Sequence, residues 1–291
     1  MRRGHGVGAV IAVSLSLAAG AGVTGQAPVS DLDGILARVG EALERHYRRA
    51  QRVVSTEEVW VRAFTREMRA HGAPQRLEFE HRVEWRALEE GEVPVVTVYR
   101  DLRTVGGRAP TQADLDGCLT PEPSDEDPLS ALLPARQGEF AFVLDGIERV
   151  DGRRVARIRY VPRVQGPAEI TWEDGCVSLS LPGRSRGEAW VEVESGAVLR
   201  LDERLMRRFE FQEPRDRPRR YRGPLALERA DSSIRYEPVM FDDPDETLML
   251  PRTIESSWTM QGAGFLPRYV RSQEFTEHRR FVTDGRVVRE P

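Results

Sequence analysis

The chain has 291 residues, 40% of them hydrophobic, and a formal net charge of -4. That is enough apolar side chain for a sizeable core, which excludes a disordered protein. All 43 basic residues are arginine, so an arginine cluster carries little information in this composition. The acidic balance argues against nucleic acid or a strongly anionic surface as the partner.

Met1-Arg2-Arg3, an apolar run from Val7 to Val23 and small residues up to Ala27 make the three regions of a secretory signal peptide. The expected organisation is a leader over residues 1–27 and a single β-rich domain over 28–291, soluble in the periplasm or outside the cell. No later apolar stretch approaches membrane-spanning length. Cys118 and Cys176 are the two cysteines, and in an oxidising compartment two cysteines pair. A bridge over so long a loop contributes roughly 4 kcal/mol in the chain-entropy model.

Ser30 and Asp33 have the spacing of a capping box. Leu32, Ile35, Leu36, Val39, Leu43, Tyr47 and Ala50 then fall on one helical face, predicting an amphipathic helix that ends near Arg52. From Val53 the period changes to two. Val59, Val61 and Ala63 make one strand, and a turn at His71-Gly72-Ala73-Pro74 precedes the clearest one, with Leu77, Phe79, His81, Val83 and Trp85 on a single face. Val95 to Val105 follows, closing at Gly106-Gly107. Residues 109 to 128 read as a loop, and Leu129 to Leu133 as a short helix packed on the core.

Strands resume at Phe140 to Leu144 and Val155 to Val161 around an Asp151-Gly152 turn, then at Ile170 to Trp172 and Val177 to Leu181. The segment from Arg186 to Leu205 reads as a hairpin turning at Ser195-Gly196, with Ala197, Leu199, Leu201 and Leu205 on one side and Val198 and Arg200 on the other. The arginine-rich stretch 213–224 reads as a solvated, proline-rich loop. Further strands are expected near Ala226 to Val239, Thr247 to Met260, Tyr269 to Phe281 and Val287-Val288. No linker separates two cores, so the chain is expected to be mainly β, with antiparallel strands.

Chemistry is hard to find. His46, His71, His81 and His278 have no zinc-site spacing, and neither a GxSxG elbow nor a phosphate loop occurs. The acidic run Asp242 to Glu246 lacks the spacing and glycine of a calcium loop. Glu57 and Glu58 are adjacent on a strand and therefore point to opposite faces. No catalytic residue, metal ligand or cofactor motif can be named. What remains is a row of large apolar residues, which fills a flat sandwich or lines a cavity on a strongly curved sheet.

The order of elements, with AWVEVESGAVLRLDERL near the middle and RSQEFTEHRRF near the end, resembles the superfamily of periplasmic lipoprotein carriers (LolA/LolB-like proteins). Trp190, Val191, Gly196, Val198 and Arg200 match a strand of the form W-[IV]-D-x-x-[ST]-G-x-[VL]-x-[RK], and Phe275, His278 and Arg279 loosely match a later Y-x-x-[YH]-R segment. The resemblance implies an antiparallel, strongly curved sheet, an incomplete β-barrel, with an N-terminal amphipathic helix and a short second helix. It also implies a concave face that accepts a lipid or an acylated protein. The cavity candidates are Leu77, Phe79, Val83, Trp85, Phe140, Phe142, Leu199 and Leu201. The expected function is a non-enzymatic exported binder of an apolar or acylated ligand; the alternative is a structural or interaction module with a filled core and no ligand.

Overall fold

The computed structural model describes residues 32–86, 95–115, 127–173, 176–212, 224–242, 245–262, 268–281 and 287–289. The leader, the Ser30 cap, Cys118 and the arginine-rich stretch 213–223 lie outside these residues, and so does the expected pairing of Cys118 with Cys176.

Helix α1 spans Leu32–Ala50 and buries Ile35, Leu36, Val39, Gly40, Leu43, Tyr47 and Ala50, nearly the face its 3.6-residue period predicts. Full burial of each large apolar side chain is worth about 1.5–3 kcal/mol, more than its 19 residues gain from helix propensity. Two contacts orient it. The Arg38 Nε donates to the Val193 carbonyl at 2.9 Å, and the Arg280 guanidinium donates to the Arg49 carbonyl in the last turn, where the helix dipole favours a cation.

The chain then lays down strands β1 (Arg52–Phe64), β2 (Ala70–Arg86), β3 (Val95–Val105), β4 (Phe140–Val150), β5 (Arg153–Pro162), β6 (Glu169–Glu173), β7 (Cys176–Ser180), β8 (Ser185–Glu192), β9 (Val198–Leu205), β10 (Phe209–Phe211), β11 (Leu225–Asp242), β12 (Asp245–Gln261), β13 (Arg268–Phe281) and β14 (Val287–Arg289). Among the described residues, twelve of them form one sheet in the order β3-β2-β1-β13-β12-β11-β9-β8-β5-β4, with β10 beside β11 and β14 beside β13. All pairings are antiparallel. The sheet is not closed into a barrel, and β3 and β4 stand at its two ends. Register shifts interrupt most ladders, as between Val54 and Thr56 or Arg235 and Tyr236, and bulges of this kind bend a sheet and increase its twist. Strands β6 and β7 form a separate hairpin whose Ile170, Trp172, Val177 and Leu179 pack on Phe211, Leu225, Leu227 and Met260.

The connection between β3 and β4 carries α2 (Gln112–Leu115), a 3₁₀ turn (Pro128–Leu132) and α3 (Pro134–Gln137). The 3₁₀ turn buries Leu129, Ala131 and Leu132, which join Ile35, Val39, Leu43 and Tyr47 of α1 and Ala156, Ile158, Ala189, Val191 and Leu201 of the sheet in the largest core cluster. Among the described residues no helix is long and apolar enough to cross a membrane.

Two local readings change. The turn expected at His71 to Pro74 lies earlier, at residues 65–69, where Thr65 N–H donates to the Arg69 carbonyl. Gly72, Ala73 and Pro74 instead fall in a register shift of β2 against Val61 and Ala63, which absorbs a proline that lacks a donor and a glycine at φ 72°. The alternation expected in β9 also breaks. Trp190 pairs with Arg200 and Val191 with Val198, so Leu199 is the extra residue of a bulge. Val198 is consequently buried with Leu201 while Leu199 is only half-buried.

The Ser195-Gly196 turn forms as expected, and the structure shows why it needs glycine. Gly196 has φ 75°, and a Cβ there would stand 2.4 Å from the Arg38 carbonyl oxygen of α1. Gly196→Ala should therefore cost more than about 2 kcal/mol, through left-handed strain plus displacement of the helix. A shift of the urea midpoint corresponding to less than half of that would mean the turn and helix separate easily.

Candidate functional site

The inner face of the β3-β2-β1-β13 end of the sheet is filled by side chains only in part. Pairing sets Val53 opposite Val83 and Ser55 opposite His81, then Val83 opposite Val98 and His81 opposite Arg100, so the period-2 pattern collects these side chains on one surface. Together with Trp85, Val96, Ile234, Tyr236, Met249, Ile254, Phe275 and His278 they line a cavity of about 210 Å³. His46 of α1 and Asp127, Pro128 and Leu129 of the 3₁₀ turn cover it. A second, more polar cavity of about 540 Å³ lies beyond the 3₁₀ turn, against Arg136, Phe140, Tyr160, Leu179, Glu203 and Leu205, and it shares Asp127 and Pro128 with the first.

The covering segment is held by Asp127. Its carboxylate accepts the Leu129 N–H at 2.8 Å, capping the 3₁₀ turn, and the Tyr47 hydroxyl of α1 at 2.8 Å. Burial pushes this carboxyl above its ordinary range, opposed by those two donors. Burial likewise raises the Tyr47 hydroxyl, with the Asp127 charge adding to it.

At the sheet end of the first cavity stands an ionic cluster that single-sequence reasoning did not assemble. Glu57 is 0% exposed and lies between Ser55 and Val59 on the inner row of β1. Its carboxylate accepts from Arg100 Nε at 2.8 Å, from Gln273 Nε2 at 2.5 Å and from Arg271 Nη2 at 3.4 Å. Burial lowers the Arg271 guanidinium, opposed by the Glu57 charge. Glu58 turns to the opposite face, as strand geometry requires, and meets Arg76 and the Trp60 indole N–H.

Three histidines distant in sequence converge on the same cavity. His81 is brought down to about 4, first by burial and then by Arg100 and His278, with Glu57 opposing. Its Nδ1 is 3.2 Å from the Ser55 hydroxyl, and its ring stands edge-on to Phe275 with centroids 5.0 Å apart. His46 is also brought down to about 4, by burial and then by Arg280, and packs edge-on to Trp85. Among the described residues no group of histidines, cysteines and carboxylates has the arrangement of a metal site. The acidic run before Leu248 turns β11 into β12 through the pair Asp242 and Asp245, and Glu246 is engaged with Arg49 and Arg280.

Of the cavity candidates read from sequence, Val83 and Trp85 line the first cavity. Leu77 and Phe79, on the same row of β2, lie farther along and are packed solid with Val59 and Val105. Phe140 lines the second cavity, and its ring and that of Phe142 pack around Tyr160. Leu201 is in the main core, and Leu199 sits at the β9 bulge. The residues missed are polar or distant: Glu57, Arg100, His46, His278 and the Asp127 cap. Among the cavity's residues, His81, Val83 and Trp85 carried a signal, by their places in the apolar row of β2.

No protein-family model matches the sequence, and no curated protein matches it. Solved structures do. The chain is similar to a DUF1329 family protein from Desulfovibrio piger, at 12% identity over 86% of this chain and 94% of that one, with a TM-score of 0.41. It is similar to a LolA superfamily protein from Nitrosomonas europaea at 11% identity, over 86% and 95% of the two chains, with a TM-score of 0.31. A third similar structure is an outer membrane lipoprotein-sorting protein domain from Vibrio parahaemolyticus, at 10% identity over 85% and 92%, with a TM-score of 0.36. At TM-scores below 0.5 these similarities fix neither ligand nor activity.

Proposed function

We propose that this chain is an exported, non-catalytic binding protein that takes an apolar or acylated ligand on the concave side of its open sheet. The observation that carries the reading is the unfilled space of about 210 Å³ between sheet and helix, walled by Val53, Val83, Trp85, Val96, Val98, Ile254 and Phe275. Protein interiors are otherwise close-packed, so a void among large apolar side chains forfeits contacts that a hydrocarbon ligand would restore. Ser55 and His81 form a hydroxyl-imidazole pair, but an imidazole brought down to about 4 is a poor general base at neutral pH, which favours binding over catalysis. The apolar leader fits export, and export into an oxidising compartment fits a Cys118–Cys176 bridge.

The test uses the chain from residue 28 purified from a periplasmic extract. A fluorescent fatty-acid probe should bind saturably, and native mass spectrometry should find an acylated species lost on denaturation. Val83→Trp, which intrudes on the cavity from its wall, should weaken probe binding at least about tenfold, since the added ring takes space a bound chain needs. A clean unliganded mass together with no probe binding would sink the reading and leave the interaction module as the working account.

A further inference from the structure

Hydrocarbon walls select for a chain, and the polar groups at their end select how that chain terminates. In the cluster beside the cavity one carboxylate, Glu57, faces two guanidiniums, Arg100 and Arg271, so the pairing leaves one positive charge in excess. Arg100 lines the cavity and spends only its Nε on Glu57. Its two terminal amino groups have no acceptor among the described residues, and its side chain is only 15% exposed. Guanidinium donors screened from bulk water bind a carboxylate more strongly than they bind a neutral oxygen.

Size sharpens the choice. About 210 Å³ is below the roughly 300–1,000 Å³ of sites for drug-sized ligands. That favours one short chain over a diacyl lipid.

We propose that the ligand is a short single-chain fatty acid, its tail against Val83, Val98 and Ile254 and its carboxylate on the free amino groups of Arg100. This rests on the apolar-ligand reading above and adds the anionic end. The experiment compares octanoate with octan-1-ol by titration calorimetry on the chain from residue 28. The unmodified protein should bind octanoate at least about tenfold more tightly, the range expected for a charged hydrogen bond. In Arg100→Gln the two ligands should fall within about twofold of each other, with octanol affinity retained. Equal affinities in the unmodified protein would overturn the anionic-end inference while leaving the apolar cavity standing. Binding of neither ligand would remove both. A preference for octanoate that survives in Arg100→Gln would overturn the assignment to Arg100. Should that variant fail to fold, the pair of titrations on the unmodified protein still decides the anionic-end inference.

Discussion

Replacing Glu57 by alanine is expected to remove about 3–5 kcal/mol of stability, because it leaves two guanidiniums facing each other without their shared anion. Arg100 and Arg271 have side chains 15% and 21% exposed, and Glu57 itself has none, so water replaces the lost partner only in part. The loss is electrostatic rather than a matter of volume. Glu57→Gln keeps the shape and an acceptor for Arg100 and should therefore lose less than Glu57→Ala, although the amide replaces a charge-assisted bond by a neutral one. Urea denaturation of the two variants beside the unmodified chain measures both numbers. A loss below about 1 kcal/mol for Glu57→Ala would put the cluster in the class of solvated surface pairs and would also weaken the case for an excess charge beside the cavity.

The second large effect is on pH. His81 and His46 are brought down to about 4 from an ordinary value of 6.5. In the unfolded chain each protonates near 6.5, whereas in the folded chain each stays neutral until about pH 4. The unfolded state therefore binds more protons between those values, and stability falls as the pH drops through that window. For His81 alone, a shift of this size amounts to roughly 3 kcal/mol by pH 4 at 1.36 kcal/mol per unit. Asp127 acts in the opposite sense, since its raised carboxyl takes up a proton earlier in the folded state than in the unfolded one and offsets part of the loss. The urea midpoint should thus decline from pH 7 to pH 4, and His81→Phe, which keeps the edge-on packing against Phe275, should flatten the decline. An unchanged slope in that variant would mean the His81 ring is hydrated in solution.

What could be read from the sequence was what is local. The face of α1 follows from a single period over 19 residues, and most strand limits fall within a few residues of the alternating runs because each strand has one dry face. The Asp151-Gly152 and Ser195-Gly196 turns were legible because few residues adopt positive φ cheaply. The candidate site was much less legible. Arg100, Arg271 and Gln273 reach Glu57 only through the β2–β3 and β1–β13 registers, and no periodicity within β1 announces those ladders. His46, His81 and His278 each look like an isolated histidine until the sheet curls under the helix. The single bulged residue in β9 was enough to exchange Val198 with Leu199, since a shift of one reverses every facing side chain.

The ladder between β1 and β13 has a consequence for the order in which the chain can fold. Arg52 pairs with Phe281 and Phe64 with Arg268, so one of the central ladders of the sheet joins the first strand to the last long one. Closing a loop of that length precedes any gain from the contacts it allows, and topologies dominated by such distant pairings fold slowly, in roughly milliseconds to seconds for small domains. Until β13 has left the ribosome, Glu57 has neither Gln273 nor Arg271, and β1 presents an unpaired edge. The native sheet therefore cannot form before residues 268–281 have been made, and the growing chain depends on staying unpaired in the meantime.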